Sequence, residues 1–216
     1  MSDQHSDLEL LAEDGPICVA ERRRRTPRVL KSSDVGRVVR LVEQLNRRAD
    51  MYVIRNPSGA VVMTGSGEAR RPCERGSDDW ECPPRESEIE LLRWILIDVD
   101  PREGVEPERA HRHVLDALDR TTVPLWSVVD SGRGTQAHVR LAEPLIGCPD
   151  GIAAMKAIAG VIYRAVDAEL DPNLVKLDAT QNVNRLSRLI GSVNHRTGRR
   201  AQVVWAPREE MRWNGI

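Results

Sequence analysis

The feature that most constrains this sequence is an apolar run that ends in two carboxylates and a proline, Trp94 to Pro101. Its β-branched residues favour a strand, which the proline ends. The side chains of a strand alternate, so one face carries Ile95, Ile97 and Val99 and the other carries Leu96, Asp98 and Asp100. Asp98 and Asp100, the acid pair, then lie about 7 Å apart along the strand. Such a pair needs a compensating cation, and Mg²⁺ and Mn²⁺ favour oxygen ligands. The alternative is two solvated acids at a strand end.

The composition permits one sizeable domain and limits its partners. The chain has 216 residues, 40% of them hydrophobic, but no phenylalanine, so the core must consist of valine, isoleucine, leucine and alanine. The net charge is −1, so a nucleic-acid partner must be met by a local basic surface. With no signal peptide and no long apolar span, the sequence predicts a cytoplasmic protein without a membrane partner.

The N-terminal part predicts a tail followed by a helix. Residues 1–30 begin with acidic residues and continue into the arginine run Arg22–Arg25, which is typical of a flexible tail. Valine and leucine then recur at helical spacing from Val35 to Arg48, with Ser32-Ser33 as the predicted N-cap.

The next segment predicts a hairpin and a long loop. The apolar pieces Met51–Ile54 and Ala60–Met63 flank a turn-rich connector and predict a β-hairpin. Residues 65–85 are rich in Gly, Pro and Arg and predict a long loop, and 86–92 predicts a short helix. Together, residues 31–93 are expected to form a small α/β unit.

From Trp94 onward the order of elements predicts a ferredoxin-like, or RRM-like, unit. The predicted elements are a strand at 94–101, a helix at 107–118, strands at 124–130 and 135–141, a helix at 152–166, an extended piece at 175–178, a helix at 182–189, a loop at 191–198 and a strand at 201–205. The fold class is therefore α+β: an antiparallel sheet unit at 94–216 packed with the N-terminal α/β unit, as one composite domain over 31–216.

A second polar cluster follows the third of these elements. Ser131-Gly132-Arg133-Gly134 predicts a tight turn whose backbone N–H groups are free to approach an anion. On the strand after it, Gln136, His138 and Arg140 share one face. The first and third strands of a ferredoxin-like unit are neighbours, which places His138 beside the acid pair. An ordinary glycine hairpin with a polar outer face is the alternative.

A third cluster combines an acid with several basic residues. Asp178 follows a short extended piece, and Arg185 and Arg188 lie one turn apart on the predicted helix at 182–189. Asn194-His195-Arg196 belongs to a polar loop after a glycine. These arginines suit forked hydrogen bonds to a triphosphate. The alternative is a basic helix face exposed to water.

Taken in order, these motifs resemble the archaeo-eukaryotic primase superfamily, in particular the primase-polymerase domains of phages and plasmids. Asp98 and Asp100 match the family's acid-x-acid pair at a strand end. Ser131 and His138 are similar to its serine and glycine turn followed by a histidine, and Asp178 matches its further acid. Residues 188–196 resemble the arginine helix and the R-x-P-G-t-x-N-x-K-like stretch that many phage members carry. The resemblance spans residues 94–198 and extends loosely to the hairpin.

The resemblance implies a DNA primase or polymerase that transfers nucleotides on a template. Asp98, Asp100 and Asp178 would be its catalytic residues and would hold two divalent ions, Mg²⁺ or Mn²⁺. The residues implied in nucleotide binding are Ser131, Gly132, Arg133, Gly134, Gln136, His138, Arg185, Arg188, Asn194, His195 and Arg196. The implied partners are a single-stranded DNA template, a primer, ribo- or deoxyribonucleoside triphosphates, and a replicative helicase in the same or a separate chain. Arg70, Arg71 and Arg196 are candidates for phosphate contacts along the template.

Three positions depart from the family pattern. Gln136 stands where the histidine usually falls, and His138 comes two residues later, so either side chain can point into the site. Ile190 replaces a common proline, and Arg196 replaces a common lysine while keeping its charge.

Two other functions compete with this one. A replication-initiator endonuclease needs a His-x-His pair on a strand and a nucleophilic tyrosine, but His111 and His113 lie in a helical pattern and Tyr163 lies on an apolar helix. A non-catalytic nucleic-acid-binding module of RRM-like fold would stack bases on sheet aromatics, for which the chain offers Trp94 or Trp126.

Overall fold

The computed structural model describes residues 3–22, 28–57 and 83–206, which form two antiparallel sheets and four helices. The elements in chain order are α1 (Asp3–Asp14), β1 (Ile17–Arg22), β2 (Arg28–Ser32), α2 (Val35–Leu45), β3 (Asp50–Ile54), a 3₁₀ turn (Glu86–Glu88), β4 (Leu91–Pro101), α3 (Pro107–Arg120), β5 (Leu125–Asp130), β6 (Thr135–Ile146), α4 (Pro149–Asp167), β7 (Val175–Asp178), β8 (Leu186–Arg188) and β9 (Gln202–Trp205). The fold class is α+β, as predicted.

The larger sheet has the strand order β7-β4-β6-β5-β9. Its first four strands follow the predicted ferredoxin-like arrangement, in which β4 and β6 are central neighbours, and β9 adds a fifth strand beside β5. Helices α3 and α4 pack against this sheet. The core between them contains Ile95, Ile97, Val99, Val114, Leu118, Val139, Met155 and Val166. The apolar face of β4 is therefore buried, which leaves its acid-bearing face for the site.

Helices α3 and α4 begin at the residues that their sequence signals indicate. Pro107 is at the first helical position of α3, where the missing N–H costs nothing. In α4, Pro149 has the same place, and the N-cap residue Cys148 accepts a hydrogen bond from the Gly151 N–H. Both helices lie along the sheet, and one apolar stripe of each faces it.

The smaller sheet has the order β2-β1-β3-β8. Helices α1 and α2 pack against it, and the shared core contains Leu8, Leu11, Val19, Val38, Val42, Met51, Val53 and Leu189. Trp94 on β4 of the larger sheet belongs to the same cluster. The two sheets are thus joined by shared apolar contacts as well as by the chain.

The N-terminal segment is not the flexible tail predicted for residues 1–30. Residues 3–14 form α1, and β1 lies inside the smaller sheet between β2 and β3. The Asp7 carboxylate accepts two hydrogen bonds from the Arg55 guanidinium, at 2.9 and 3.1 Å, in a buried position. The prediction failed because it was based on the acidic residues of α1 and did not take account of Leu8 and Leu11, which are both buried. Of the arginine run, only Arg22 lies within the described residues.

The helix predicted at 182–189 is also wrong. Residues 186–188 form β8, which pairs antiparallel with β3 so that Leu186 is opposite Ile54 and Arg188 is opposite Tyr52. The sequence Leu-Ser-Arg is compatible with either structure, and the free edge of β3 decides for the strand. In an extended segment, Arg185 and Arg188 have opposite orientations, so they do not share a face as the helix implied.

Other local predictions hold with shifted bounds. The first hairpin strand is β3, which pairs with β1 and β8, whereas Ala60–Met63 and the loop with Arg70 and Arg71 lie outside the described residues. The short helix predicted at 86–92 is a 3₁₀ turn at Glu86–Glu88, and β4 begins at Leu91. The predicted division of the chain into one unit that ends at residue 93 and another that begins at residue 94 stays a prediction. No helix in the described ranges combines the length and apolarity needed to cross a bilayer.

Candidate active site

The centre of the candidate site is a pair of carboxylates on neighbouring strands. Asp98 on β4 is directly opposite Asp178 on β7, and two residue pairs further along Asp100 is opposite Lys176. This register follows because β7 pairs with the end of β4 that carries the acid pair. Three acids predicted from separate motifs therefore share one end of the sheet, and Lys176 is a basic neighbour that the sequence did not single out.

Arg185 bridges the two facing carboxylates. Its Nη2 donates to Asp98 Oδ2 at 3.1 Å and also to Asp178 Oδ2. Its Nη1 donates to the carbonyl oxygen of Thr180 at 2.9 Å and to that of Asp178 at 3.2 Å. The side chain is only 13% exposed. One guanidinium thus fills the position between two acids, which shows that this position takes a positive charge.

The two carboxylates differ in their electrostatic environment. Burial raises the pKa of Asp98, the charge of Arg185 opposes that rise, and the neighbouring charge of Asp100 adds to it. For Asp178, burial acts in the same direction, but the hydrogen bonds from Thr180 and the charge of Arg185 outweigh it and lower the pKa. Asp98 is therefore the acid that most needs a compensating cation. The Thr180 contact was missed in the sequence, although an Asp-x-Thr spacing is typical of such a local turn.

The donor set suits a divalent ion that prefers oxygen ligands. Asp98, Asp100 and Asp178 supply carboxylates from one end of the sheet, which is the chemistry that Mg²⁺ and Mn²⁺ favour. Within the described part of the chain, no three acidic, histidine or cysteine side chains already converge on one point. The Arg185 guanidinium takes the place between two of the acids, so a metal ion there would have to replace it.

The glycine turn lies beside Asp100, but the N–H groups of its two glycines are not free as predicted. The Gly134 N–H donates to Ser131 Oγ at 3.1 Å, and the Ser131 hydroxyl donates to the Gly134 carbonyl oxygen at 3.0 Å. The Gly132 N–H donates to Asp130 Oδ1 at 2.8 Å. A Cβ on Gly134 would be 2.9 Å from Asp100 Oδ1. The turn is thus a close-fitting wall next to the acid pair.

The strand after this turn places Gln136, and not His138, next to the acid pair. Gln136 is opposite Asp98, and its Nε2 donates to Asp98 Oδ1 at 3.3 Å. His138 is opposite Leu96 and is completely buried. Both of its ring nitrogens are hydrogen-bonded, to the hydroxyls of Ser127 and Ser187. The predicted placement of His138 beside the acids is therefore wrong by two residue pairs along the strand.

Arg188 does not join Arg185 at the acids. Its Nη1 donates to Asp50 Oδ1 at 2.8 Å, its Nη2 donates to the Tyr52 hydroxyl at 3.1 Å, and its guanidinium lies 4.3 Å from the Tyr52 ring centre. Only 8% of the Arg188 side chain is exposed. This arginine stabilises the contact between β8 and β3 in the structure.

The loop after β8 is attached to the glycine turn. Asn194 is buried and its Nδ2 donates to the Ser131 carbonyl oxygen at 3.3 Å, while His195 Nε2 lies 2.8 Å from the Asn46 carbonyl oxygen. By contrast, Arg196 and Arg133 are exposed. His195 is exposed as well, so all three basic residues predicted in these two segments face solvent.

The residues required by the competing functions are already engaged. His111 contacts the Thr135 hydroxyl, His113 Nε2 accepts from the Asp171 N–H, and the Tyr163 hydroxyl donates to the Leu96 carbonyl oxygen. These three groups therefore do not form one endonuclease site.

The sheet aromatics are similarly covered. Trp94 is 4% exposed and its Nε1 donates to Asp14 Oδ2 on α1, while Trp126 packs edge-on against it at 5.9 Å. The Arg140 guanidinium lies over both rings, at 5.6 and 5.0 Å from their centres. Helix α1 and this arginine thus fill the positions where an RRM-like module would stack bases.

Comparison with known proteins places the fold in one class. No family model matches the sequence, and no curated protein matches it. The α+β arrangement of two antiparallel sheets with helices packed against them is consistent with a primase-polymerase core fold, as the sequence motifs predicted.

The chain is similar in structure to the AEP domain of the cyanophage S-2L primase-polymerase (PrimPol), with a TM-score of 0.55 and 14% identity, over 95% of this chain and 90% of that one. It also matches the polymerase domain of Mycobacterium tuberculosis ligase D, solved in complex with DNA, with a TM-score of 0.47 and 16% identity, over 93% and 78% of the two chains. At 14% identity, the likeness to the cyanophage domain shows the fold alone.

Proposed function

We propose that this chain is a primase-polymerase catalytic domain that transfers nucleotides to a primer or a starting nucleotide on a single-stranded DNA template. The observation that carries the proposal is the cross-strand pair Asp98 and Asp178, bridged by a cation, on a sheet with the primase-polymerase fold. The cyanophage domain that this chain resembles in structure belongs to a primase-polymerase, which supports the same reaction class.

In the proposed reaction, Asp98, Asp100 and Asp178 hold two divalent ions, Mg²⁺ or Mn²⁺. Bound there, such ions would lower the pKa of the attacking 3′-hydroxyl and neutralise charge on the triphosphate. The protein's part is to fix the carboxylates and the nucleotide in place, because phosphoryl transfer of this kind depends mainly on positioning and charge. The raised pKa of buried Asp98 is consistent with a carboxylate built to receive a cation.

Arg185 is the proposed triphosphate ligand nearest to the acids. With metal ions on the carboxylates, the guanidinium of Arg185 would be free to leave Asp98 and Asp178 and to donate to the phosphate oxygens. Its low exposure in the structure keeps it close to the acids, so only a short movement of the side chain is needed.

The remaining nucleotide and template contacts fall into two groups. Gln136 and the glycine turn, Ser131 to Gly134, border the acid pair and shape the space for the triphosphate. The exposed side chains Arg133 and Arg196 supply positive charge for the phosphates of the template or primer. Arg188, His195 and Asn194 act indirectly, by holding β8 and the following loop in position.

A primer-synthesis assay tests the proposal. The protein is incubated with single-stranded DNA, Mg²⁺ or Mn²⁺, and labelled ribo- or deoxyribonucleotides, and the products are separated on a gel. We expect template-dependent incorporation, and we expect Asp98→Ala with Asp100→Ala to abolish it while the fold is kept.

The matched control is Asp116→Ala with Asp119→Ala, which removes two exposed carboxylates from α3. This variant is expected to retain incorporation. Unchanged activity in the acid-pair variant would refute the proposal, and nicking of the DNA or metal-independent binding without synthesis would favour the competing functions.

A further inference from the structure

A buried chain of side-chain hydrogen bonds leads from β5 to the acid pair. Ser127 Oγ is 2.9 Å from His138 Nδ1, His138 Nε2 is 2.8 Å from Ser187 Oγ, Ser187 Oγ is 3.3 Å from Gln136 Oε1, and Gln136 Nε2 is 3.3 Å from Asp98 Oδ1. The four residues behind Asp98 are each less than 9% exposed, and His138 is fully buried. The chain therefore connects three strands of the larger sheet with β8 of the smaller sheet.

The direction of these hydrogen bonds is fixed at one point by the backbone. The Arg188 N–H donates to the Gln136 side chain at 2.8 Å, and a backbone N–H can only donate, so the atom that it meets must be the amide oxygen Oε1. The amide nitrogen of Gln136 then faces Asp98. Because Oε1 can only accept, the Ser187 hydroxyl must donate its proton to it.

The same reasoning fixes the proton on His138. Since the Ser187 hydroxyl has already given its proton to Gln136, it must accept from His138, which places a proton on Nε2. Burial and the nearby charge of Arg55 lower the pKa of His138 well below its ordinary value, so the ring is neutral and Nδ1 accepts from Ser127. Every donor in the chain thus points towards the Asp98 carboxylate, an arrangement in which successive hydrogen bonds strengthen one another.

We propose that His138 is a positioning residue, which fixes the Asp98 carboxylate through Ser187 and Gln136, and that it does not contact the triphosphate. This inference rests on the proposed nucleotidyl transfer for its consequence, but its geometry can be tested separately. The ring is buried and both nitrogens are occupied, so it has no donor left for a phosphate. Its effect on the site is to hold Gln136, which in turn holds Asp98 in one orientation.

The first test concerns the tautomer and needs no activity. Ring ¹⁵N chemical shifts of the wild-type protein, labelled at histidine, report which nitrogen carries the proton. We expect His138 to be a single neutral tautomer protonated at Nε2 near pH 7. A proton on Nδ1, or a cationic ring, would reverse or break the chain and would overturn the proposal.

The second test measures the effect on the acids. Ser187→Ala removes the link between His138 and Gln136 but leaves both of these residues in place. We expect Mn²⁺ binding without nucleotide, followed by the electron paramagnetic resonance of the free ion, to weaken about tenfold, the low end of the range for outer partners of metal ligands. For nucleotide incorporation we expect kcat to fall by about the same factor, with the KM of the nucleotide changed less than about twofold.

Ser192→Ala is the matched control for this test. Ser192 is also a buried serine, but among the described residues its hydroxyl contacts only the carbonyl oxygens of Leu189 and Met51. We expect it to lower thermal stability as Ser187→Ala does, without the loss of Mn²⁺ affinity. Equal Mn²⁺ affinity in the two serine variants, or a rise in KM alone in Ser187→Ala, would overturn the positioning role.

Two substitutions at His138 test whether a hydrogen-bond donor at this position is what matters. His138→Gln keeps a donor for Ser187 and is expected to retain more Mn²⁺ affinity than His138→Leu, which keeps none. The reverse order would contradict the proposal. If the wild-type protein incorporates no nucleotide, the proposed function fails, whereas the tautomer and Mn²⁺ measurements still decide whether His138 acts through this chain.

Discussion

Asp98 and Asp178 lie directly opposite each other on neighbouring antiparallel strands, and the guanidinium of Arg185 donates to both. Two like charges at one cross-strand position destabilise a sheet unless a cation compensates. The arginine is that cation in the structure, and it must be exchanged for metal ions in the proposed reaction. Competition between a fixed guanidinium and a divalent ion follows directly from this geometry.

Removing Arg185 should therefore separate metal binding from nucleotide binding. In Arg185→Ala we expect Mn²⁺ to bind about tenfold more tightly in the absence of nucleotide, a gain of about 1.4 kcal/mol, because the competing cation is gone. The KM of the nucleotide should rise by about tenfold or more, since a phosphate ligand is lost. Electron paramagnetic resonance and steady-state incorporation measure the two effects. Arg120→Ala, which breaks a surface pair with Glu169, is the control; weaker Mn²⁺ binding in Arg185→Ala would contradict the competition.

The raised pKa of Asp98 predicts a pH-dependent cost in stability. Burial raises this pKa in the folded state above its ordinary value of 3.8, so the folded protein binds the proton more tightly than the unfolded chain. Stability then falls as the pH rises through the window between the unfolded and the folded pKa, and the whole cost is present above the folded pKa. Asp98→Asn should raise the melting temperature at pH 7, and the gain should shrink towards pH 4. Asp116→Asn, at an exposed site on α3, is the control. A gain in melting temperature that grows on acidification would show that folding lowers the pKa of Asp98 and does not raise it.

The tight fit of the glycine turn predicts a steric effect on the acid pair. In Gly134→Ala the new Cβ would be 2.6 Å from the Val99 carbonyl oxygen and 2.9 Å from Asp100 Oδ1, so the strand end and the turn must separate. We expect at least about a hundredfold loss of incorporation, since a shift of 1 Å at reacting groups has that effect. Gly104→Ala is the control, because Gly104 has φ +79° but open space around it. That variant should lose about 1–2 kcal/mol of stability and keep its activity.

The buried pair of Asp7 and Arg55 predicts that the N-terminal helix is part of the fold. The two side chains are only 8% and 4% exposed, so Asp7→Ala leaves a buried guanidinium without its partner. Such a loss costs about 3–5 kcal/mol, which urea unfolding can measure. Glu9→Ala, which removes the exposed contact of α1 with His5, should change stability by less than about 1 kcal/mol. If Asp7→Ala also changed stability by less than about 1 kcal/mol, the residues near the N-terminus would behave as the tail first predicted.

Several elements of the fold were predictable from local signals alone. The run that ends in Asp98 and Asp100 has a period of two, and the buried stripes of α3 and α4 have a period near 3.6, so each pattern specifies its own structure. The order of these elements then leaves few topologies, because connections in such units are short and have a preferred hand. The ferredoxin-like sheet follows from that order.

The structural predictions that were wrong share one cause, which is packing between segments distant in the sequence. Leu186 to Arg188 is too short to specify a strand, and it becomes one because β3 offers an unpaired edge. Residues 3–14 appear as an acidic tail until Asp7 meets Arg55, 48 positions away. Local propensity is worth a few tenths of a kcal/mol per residue, whereas burial of such segments is worth several kcal/mol.

The sequence by itself determined which side chains could do chemistry here: three acids, a glycine turn and a set of arginines, each in a recognisable motif. Only the tertiary structure decided how they combine. Strand register placed Asp178 opposite Asp98 and Gln136 beside it, moved His138 into the core, and brought Arg185 but not Arg188 to the acids. The physical reason is that a register shift of a single residue reverses the face of every side chain on a strand, and register depends on pairing with distant strands.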